Sequence, residues 1–292
     1  MAVSDGIEIR PVGPSKFRLA DCPPLAPSAG PFHRSRVNSP RSWTYTFRSL
    51  ALALLVAVVP GGFAAESWRT ASREPAGLAP DPATTREAVI QVYAARAVEW
   101  RGYFGVHPWV AVKRTGAAQF TVHELMGYQT RRSGNGVRSS QRAADMYWFG
   151  NRPWRLADLR GSGVDAVIDR IEAAVADYPY AGTYRIWPGP NSNTFIAHVL
   201  RAAPELRVDL PALAIGKDYL GPSLIASAPS GTGAQVNVFG LAGILVGWEE
   251  GVELNVIGLT FGVNPVRLGL KLPVLGNIGL RQVGEPRRLE RE

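Results

Sequence analysis

A single cysteine, Cys22, stands among 292 residues. One thiol cannot form an intrachain disulfide framework, and without partner thiols it cannot build a cysteine-based metal site. Charge is scarce as well. Only 19% of residues are charged against 46% hydrophobic, so the chain is not intrinsically disordered as a whole. Long apolar runs are also missing, which excludes a protein of several membrane-spanning helices. The formal net charge of +8 is not gathered into one patch. Residues 1–49 hold seven basic and three acidic side chains, and residues 66–292 hold 25 against 21. An excess of four over so long a stretch makes no footprint for a nucleic-acid backbone, and no nucleic-acid partner is expected.

What is present begins with the N-terminal segment. Residues 1–49 contain Pro11, Pro14, Pro23, Pro24, Pro27, Pro31 and Pro40 without helical or strand period, the composition of a disordered leader. Arg34, Arg36, Arg41 and Arg48 then precede an uncharged stretch, residues 50–65. Its strictly apolar part, Leu50 to Val59, would reach about 15 Å as a helix, half of a bilayer core. A basic flank, a short apolar run and the small residues around Ala64-Ala65 follow the order of a secretory signal. An uncleaved anchor, with Trp43, Tyr45 and Trp68 at the interfaces, is the other reading, and a buried core helix a third. With no Met between Met1 and Met126, a start at Val37 would leave a compact basic region before the run. The arginines keep the N-terminus cytoplasmic and place the body on the periplasmic, extracytoplasmic side, a membrane-associated protein of the cell envelope.

Residues 66–83 are a Pro- and Ala-rich linker, and 84–282 form the exported domain, with a charged tail at 283–292. The spacing of Val89, Val92, Tyr93 and Arg96 predicts a helix starting near Thr85. Tyr103 to Lys113 and Ala118 to Tyr128 alternate as two strands, with Arg114-Thr115-Gly116 as a three-residue turn. That turn predicts Val110 opposite Phe120, Trp109 opposite Thr121 and His107 opposite His123, with Cβ atoms about 5 Å apart. His107, Trp109, Lys113, Gln119, Thr121 and His123 then share the polar face. Two opposed histidines suit a half-exposed polar face, a metal pair, or a base with its orienting partner. No third ligand stands at a recognisable spacing, so neither a metal nor another cofactor is expected.

A helix is predicted from a Ser162 cap through Asp177, then a short strand, Thr183 to Trp187, and a helix from Thr194 to Arg201. Ser192 falls at the N-terminus of the last helix. Free N–H groups there favour negative charge, which suits a nucleophile and its oxyanion, although Asn and Ser also stand there as simple caps.

Two runs carry a resemblance. Trp100-Arg-Gly-Tyr-Phe-Gly-Val-His-Pro-Trp-Val-Ala-Val-Lys113 and Tyr184-Arg-Ile-Trp-Pro-Gly-Pro-Asn-Ser-Asn-Thr-Phe195 resemble a bacterial family of unknown function, domain of unknown function family 3750, from about residue 90 to 280. More distantly, Asn191-Ser192-Asn193-Thr194-Phe195 resembles the Asn-Cys-x-x-Phe-like run of circularly permuted papain-like hydrolases, which include lecithin retinol acyltransferase-like proteins and relatives of cell-wall peptidases. That resemblance implies a nucleophile position at Ser192, a base at His107 and a polar partner at His123. Asn191, Asn193, Thr194, Trp109 and Lys113 are the candidate binding residues for an envelope ligand. Serine replaces the usual cysteine. A hydroxyl needs a well-placed base where a thiol is partly ionised, so two expectations stand: a papain-like scaffold or binding module, and a serine-type acyl hydrolase.

From Gln235 to Leu280 short apolar runs are broken by glycine, too short for spanning helices and suited to antiparallel strands. They read as sheet core of the same domain or as a surface lying against the membrane. Gly161-Ser-Gly-Val-Asp-Ala166 follows no buried strand, and Pro229-Ser-Gly-Thr-Gly233 lacks a phosphate-loop lysine; both are glycine decoys. The expected fold is α+β, an antiparallel sheet with packed helices, of permuted papain-like kind by resemblance, behind the apolar signal or anchor.

Overall fold

The structure is a computed structural model that describes residues 69–279 and 286–289. The leader, the apolar 50–65 segment and most of the charged tail lie outside the described residues. Among the described residues the body is α+β, with two β-sheets and three α-helices. No helix among the described residues is long and apolar enough to cross a membrane.

The first sheet is built around β1 (Val89–Arg96), flanked by β2 (Val106–Lys113) and β5 (Trp154–Arg160). β3 (Thr121–Leu125) and β4 (Val137–Gln141) extend it on one side. On the other side β13 (Pro286–Arg288) pairs parallel with β5, while every other pairing is antiparallel. The helix expected near Thr85 is therefore a strand. Ile90, Val92 and Ala94 point to one core, and Val89, Tyr93 and Ala95 to another. A strand buried on both faces carries apolar residues at nearly every position, and such a run contains helical spacings by accident.

Three helices follow in sequence: α1 (Gly127–Ser133), α2 (Val164–Ala176) and α3 (Ser192–Arg201). The α2 stripe is the one the sequence shows, Val164, Val167, Ile168, Ile171 and Val175 all buried. Ser162 is not its cap; Gly163 is, in a left-handed conformation at φ 88°. α3 lies on β2 and β3 and buries Phe195, Ile196, Val199 and Leu200. The expected Thr183–Trp187 strand is irregular backbone, bridged by the Arg185 N–H donating to the Pro190 carbonyl at 2.8 Å.

The 225–279 region forms a second, seven-stranded antiparallel sheet in simple up-and-down order: β6 (Ile225–Ser227), β7 (Gly233–Val238), β8 (Ala242–Gly247), β9 (Gly251–Val256), β10 (Leu259–Asn264), β11 (Gly269–Leu272) and β12 (Gly276–Gly279). Its alternation runs opposite to that of an ordinary half-buried sheet. Gln235, Asn237, Glu253, Asn255, Thr260 and Lys271 are buried, while Val236, Ile244, Val246, Leu254, Phe261 and Val263 are exposed. Gly243 lies on the inward side, where a Cβ would meet the Val236 carbonyl at 2.3 Å, so only glycine fits against the polar layer.

An ionic cluster fixes that direction. Glu253, 2% exposed, accepts from Lys217 through one carboxylate oxygen and from Lys271 through the other. Lys217 also donates to Asp218 at 3.0 Å, and Lys271 donates to Asp209. The Asn255 amide and the Thr260 hydroxyl both reach the second Asp218 oxygen. Burial pushes the Asp209 carboxyl up to about 7, against the opposing pull of Lys271. Burial works against the Lys217 charge, but Asp218 and Glu253 outweigh it and hold its ammonium above the usual range. Removing one member strands its partners without solvent, the circumstance in which a buried pair costs about 3–5 kcal/mol. Glu253→Ala is expected to lower the unfolding free energy by about that much in urea or guanidinium titration. Glu253→Gln, which retains an acceptor for one lysine, should cost less.

Candidate functional site

The two histidines do not face one another. β2 pairs β3 with Val110 opposite His123, Ala111 opposite Val122 and Val112 opposite Thr121. The turn chemistry is as the sequence suggests: Gly116 is left-handed at φ 73°, and the Ala117 N–H donates to the Arg114 carbonyl at 3.0 Å. Ala118, Gln119 and Phe120 then stay outside the β2–β3 pairing and shift the register by an odd number. An odd slip exchanges the faces of a whole strand. His123 therefore shares the helix-bearing face with Val110, while His107 shares the opposite face with Trp109 and Glu124.

On that opposite face His107 Nε2 bonds Glu124 Oε2 at 3.2 Å, and its ring stacks on Trp148 at 3.6 Å between centroids, 9° from parallel. Arg142 holds the same carboxylate oxygen at 3.5 Å. Burial takes the His107 imidazole below its ordinary 6.5, although Glu124 pulls upward. Burial alone would raise the Glu124 carboxyl; His107 and Arg142 outweigh it and keep the group ionised. Trp109 is fully buried and donates to the Ala144 carbonyl at 2.7 Å. Lys113, also fully buried, donates to the Glu87 carbonyl at 3.0 Å and the Arg114 carbonyl at 3.3 Å. The described part of the 66–83 segment straps this face. Ala76 N–H donates to the Asp145 carbonyl, and the Asp145 side chain accepts from Leu78 and Ala79. Pro80, Pro82, Gln119, Phe120 and Arg142 line a cleft of about 370 Å³ beside the strap.

Ser192 opens α3 beneath a closed cap. Asn191 Oδ1 accepts from the Asn193 N–H at 2.9 Å and the Thr194 N–H at 3.2 Å. The Thr194 hydroxyl accepts from the Asn191 N–H at 3.1 Å and donates to the Gly216 carbonyl at 2.6 Å, completing a capping box. The Asn191 and Asn193 amides both donate to the Ile215 carbonyl. Ser192 lies beside the half-buried Tyr184, whose ring packs against Gly127. His123 Nδ1 bonds the Ser139 hydroxyl at 2.8 Å; its Nε2 is buried without a hydrogen-bond partner.

Chemically, the His107–Glu124 pair orients an imidazole but joins it to no described nucleophile. The N–H groups that would receive an oxyanion at Ser192 already serve Asn191. The structure thus parts His107 from His123 across the first sheet, and it shows Asn191, Asn193 and Thr194 holding the α3 terminus. Glu124, Arg142, Trp148 and Tyr184 are the partners that sequence reasoning missed. Glu124 alone had a visible signal, its place next to His123 on a strand of alternating faces. Among the described residues no group of acidic, histidine or cysteine side chains forms a candidate metal site.

The fold and these contacts define an α+β protein of two antiparallel-type sheets with a closed helix terminus at its centre. Residues 87–219, which take in β1 to β5 and all three helices, match the family described as Protein of unknown function (DUF3750). No curated protein and no solved structure matches the chain.

Two outcomes follow from these contacts. Asn191→Ala removes the one oxygen that accepts both cap N–H groups and is expected to cost about 1–2 kcal/mol in denaturant titration. The His107 imidazole is harder to protonate folded than unfolded, so below about pH 6.5 the unfolded chain binds more protons and His107 weakens the fold as pH falls. Asp209, raised by burial, acts in the opposite sense over the same range, so the measurement is a difference. His107→Gln should flatten the loss of stability between pH 7 and 5 relative to wild type, read as unfolding free energy against pH.

Proposed function

We propose that the protein is a membrane-associated protein of the cell envelope whose body serves as a scaffold or binding module of papain-like descent, without acyl-hydrolase chemistry. The single observation that carries this is the closed α3 terminus: the Asn191 side chain takes the Asn193 and Thr194 N–H groups. An acyl enzyme needs those donors aimed at a developing oxyanion and a base within reach of the hydroxyl. The placement of Ser192 at the start of a helix packed on the strand bearing His123 supports the papain-like resemblance. The basic-flanked apolar 50–65 segment supports export of the body to the extracytoplasmic side, as a signal or an anchor. The cleft beside Phe120 and Arg142 offers an apolar floor and one cation to an envelope ligand.

Incubation of the full chain with a fluorophosphonate probe tests the reading. The expected result is no labelling of wild type and no activated thiol in Ser192→Cys. Labelling of wild type that Ser192→Ala and either His107→Ala or His123→Ala abolish, with circular dichroism unchanged, would establish the hydrolase instead.

A further inference from the structure

The second sheet presents an apolar face with no ionisable side chain on it. Its register aligns the exposed residues into rows across the strands. Ile225, Val236, Ile244, Leu254 and Phe261 form one row. Val246, Val252, Val263, Leu270 and Ile278 form a second beside it. Ile225 is 70%, Val246 52% and Leu254 50% exposed. Charge is absent outside because it is all inside: Glu249, Glu250, Glu253 and Lys271 are each 7% exposed or less, and Arg267 is turned onto Glu249. Seven strands of three to six residues, at about 3.3 Å per residue and about 4.8 Å apart, give a footprint of roughly 550 Å². That is at the upper end of the largest apolar patch a soluble monomer ordinarily shows, which marks an interaction surface.

We propose that this face rests on the hydrocarbon boundary of a lipid bilayer. Interfaces formed in water carry about one hydrogen bond per 100–200 Å², and the two rows hold no side chain able to make one. The footprint also falls short of the roughly 800 Å² per partner of a standard protein interface. Both ends of the sheet are finished with the residues that suit a headgroup layer. At one end Trp187, 49% exposed, donates its indole N–H to the Ile257 carbonyl beside exposed Phe239, with exposed Arg185 two positions away. At the other, Trp248 is 65% exposed, and the half-exposed Arg207 side chain approaches Glu249. Indole rings settle at membrane interfaces, and guanidinium groups meet lipid phosphates there. The inverted alternation, apolar toward lipid and polar toward protein, is that of membrane-facing β-strands, here lying along the bilayer because six residues are too few to span it. The two apolar rows lie outside the family-matched residues 87–219, with only Arg185, Trp187 and Arg207 at the ends inside them, and the contact does not depend on the 50–65 segment being an anchor.

The test uses the full chain in a Cys22→Ser background, with a single fluorophore at Leu254→Cys, at Val263→Cys, or, as control, at Arg132→Cys on α1. Each form is mixed with phosphatidylcholine–phosphatidylglycerol vesicles, and circular dichroism confirms the fold. Flotation with the vesicles reads membrane association by any route, including the N-terminal segment. Quenching reads the sheet itself. Labels at residues 254 and 263 should be quenched by nitroxide-bearing lipid and shielded from aqueous iodide, with the reverse at residue 132. Iodide quenching of the sheet labels in a floating protein would overturn the proposal while leaving the membrane-associated reading intact. Protection from both quenchers together with a dimer by light scattering would overturn it in favour of a second copy.

Discussion

Glu253 sits between two lysines in a place that water does not reach, and the direction of the whole C-terminal sheet follows from that arrangement. A carboxylate shared by Lys217 and Lys271, with Asp209 and Asp218 completing the set, is tolerable only where every member has a partner. Turning the sheet over would expose this cluster and bury two rows of aliphatic side chains, but it would also remove Asn255 from Asp218 and Gln235 from Arg201. The polar layer therefore glues the second sheet to the body that precedes it. The apolar face is the necessary remainder, since a strand that commits its polar side chains inward has only the other set to offer outward.

The first sheet obeys the opposite rule. β1 lies between two neighbours and between two apolar clusters, and its polar residues are satisfied within the layer: Gln91 donates to Asp158 at 2.8 Å and accepts from the Tyr93 phenol. Its two faces hold the two histidines apart. Both imidazoles are depressed by burial, and each is occupied by a neighbour, Glu124 or Ser139, in place of the other. Burial of this kind builds a rigid body around the α3 terminus. A terminus whose Asn193 and Thr194 N–H groups already serve Asn191 holds the fold together.

Much of this was legible in the sequence wherever one face of an element is apolar and the other is not. The Val164–Val175 stripe, the helix after Asn191 and the strands broken at glycine between Gln235 and Leu280 all announce themselves in that way. β1 did not, because burial on both sides erases the period-2 signal. The β2–β3 register did not, because three residues after a correctly read Gly116 turn are invisible to alternation, and an odd slip is enough to part His107 from His123. The C-terminal alternation was plain, yet periodicity says only that two faces differ. Which of them is turned inward depends on charges brought from Asp209 and Lys217, outside those strands.

The central claim is that orientation. Carbene footprinting of the full chain in water, read residue by residue, tests it most directly. The account predicts heavy modification of Val246, Leu254, Phe261 and Val263, with Leu245, Glu253 and Lys271 protected. Protection of the aliphatic rows with modification of Glu253 and Lys271 would contradict it.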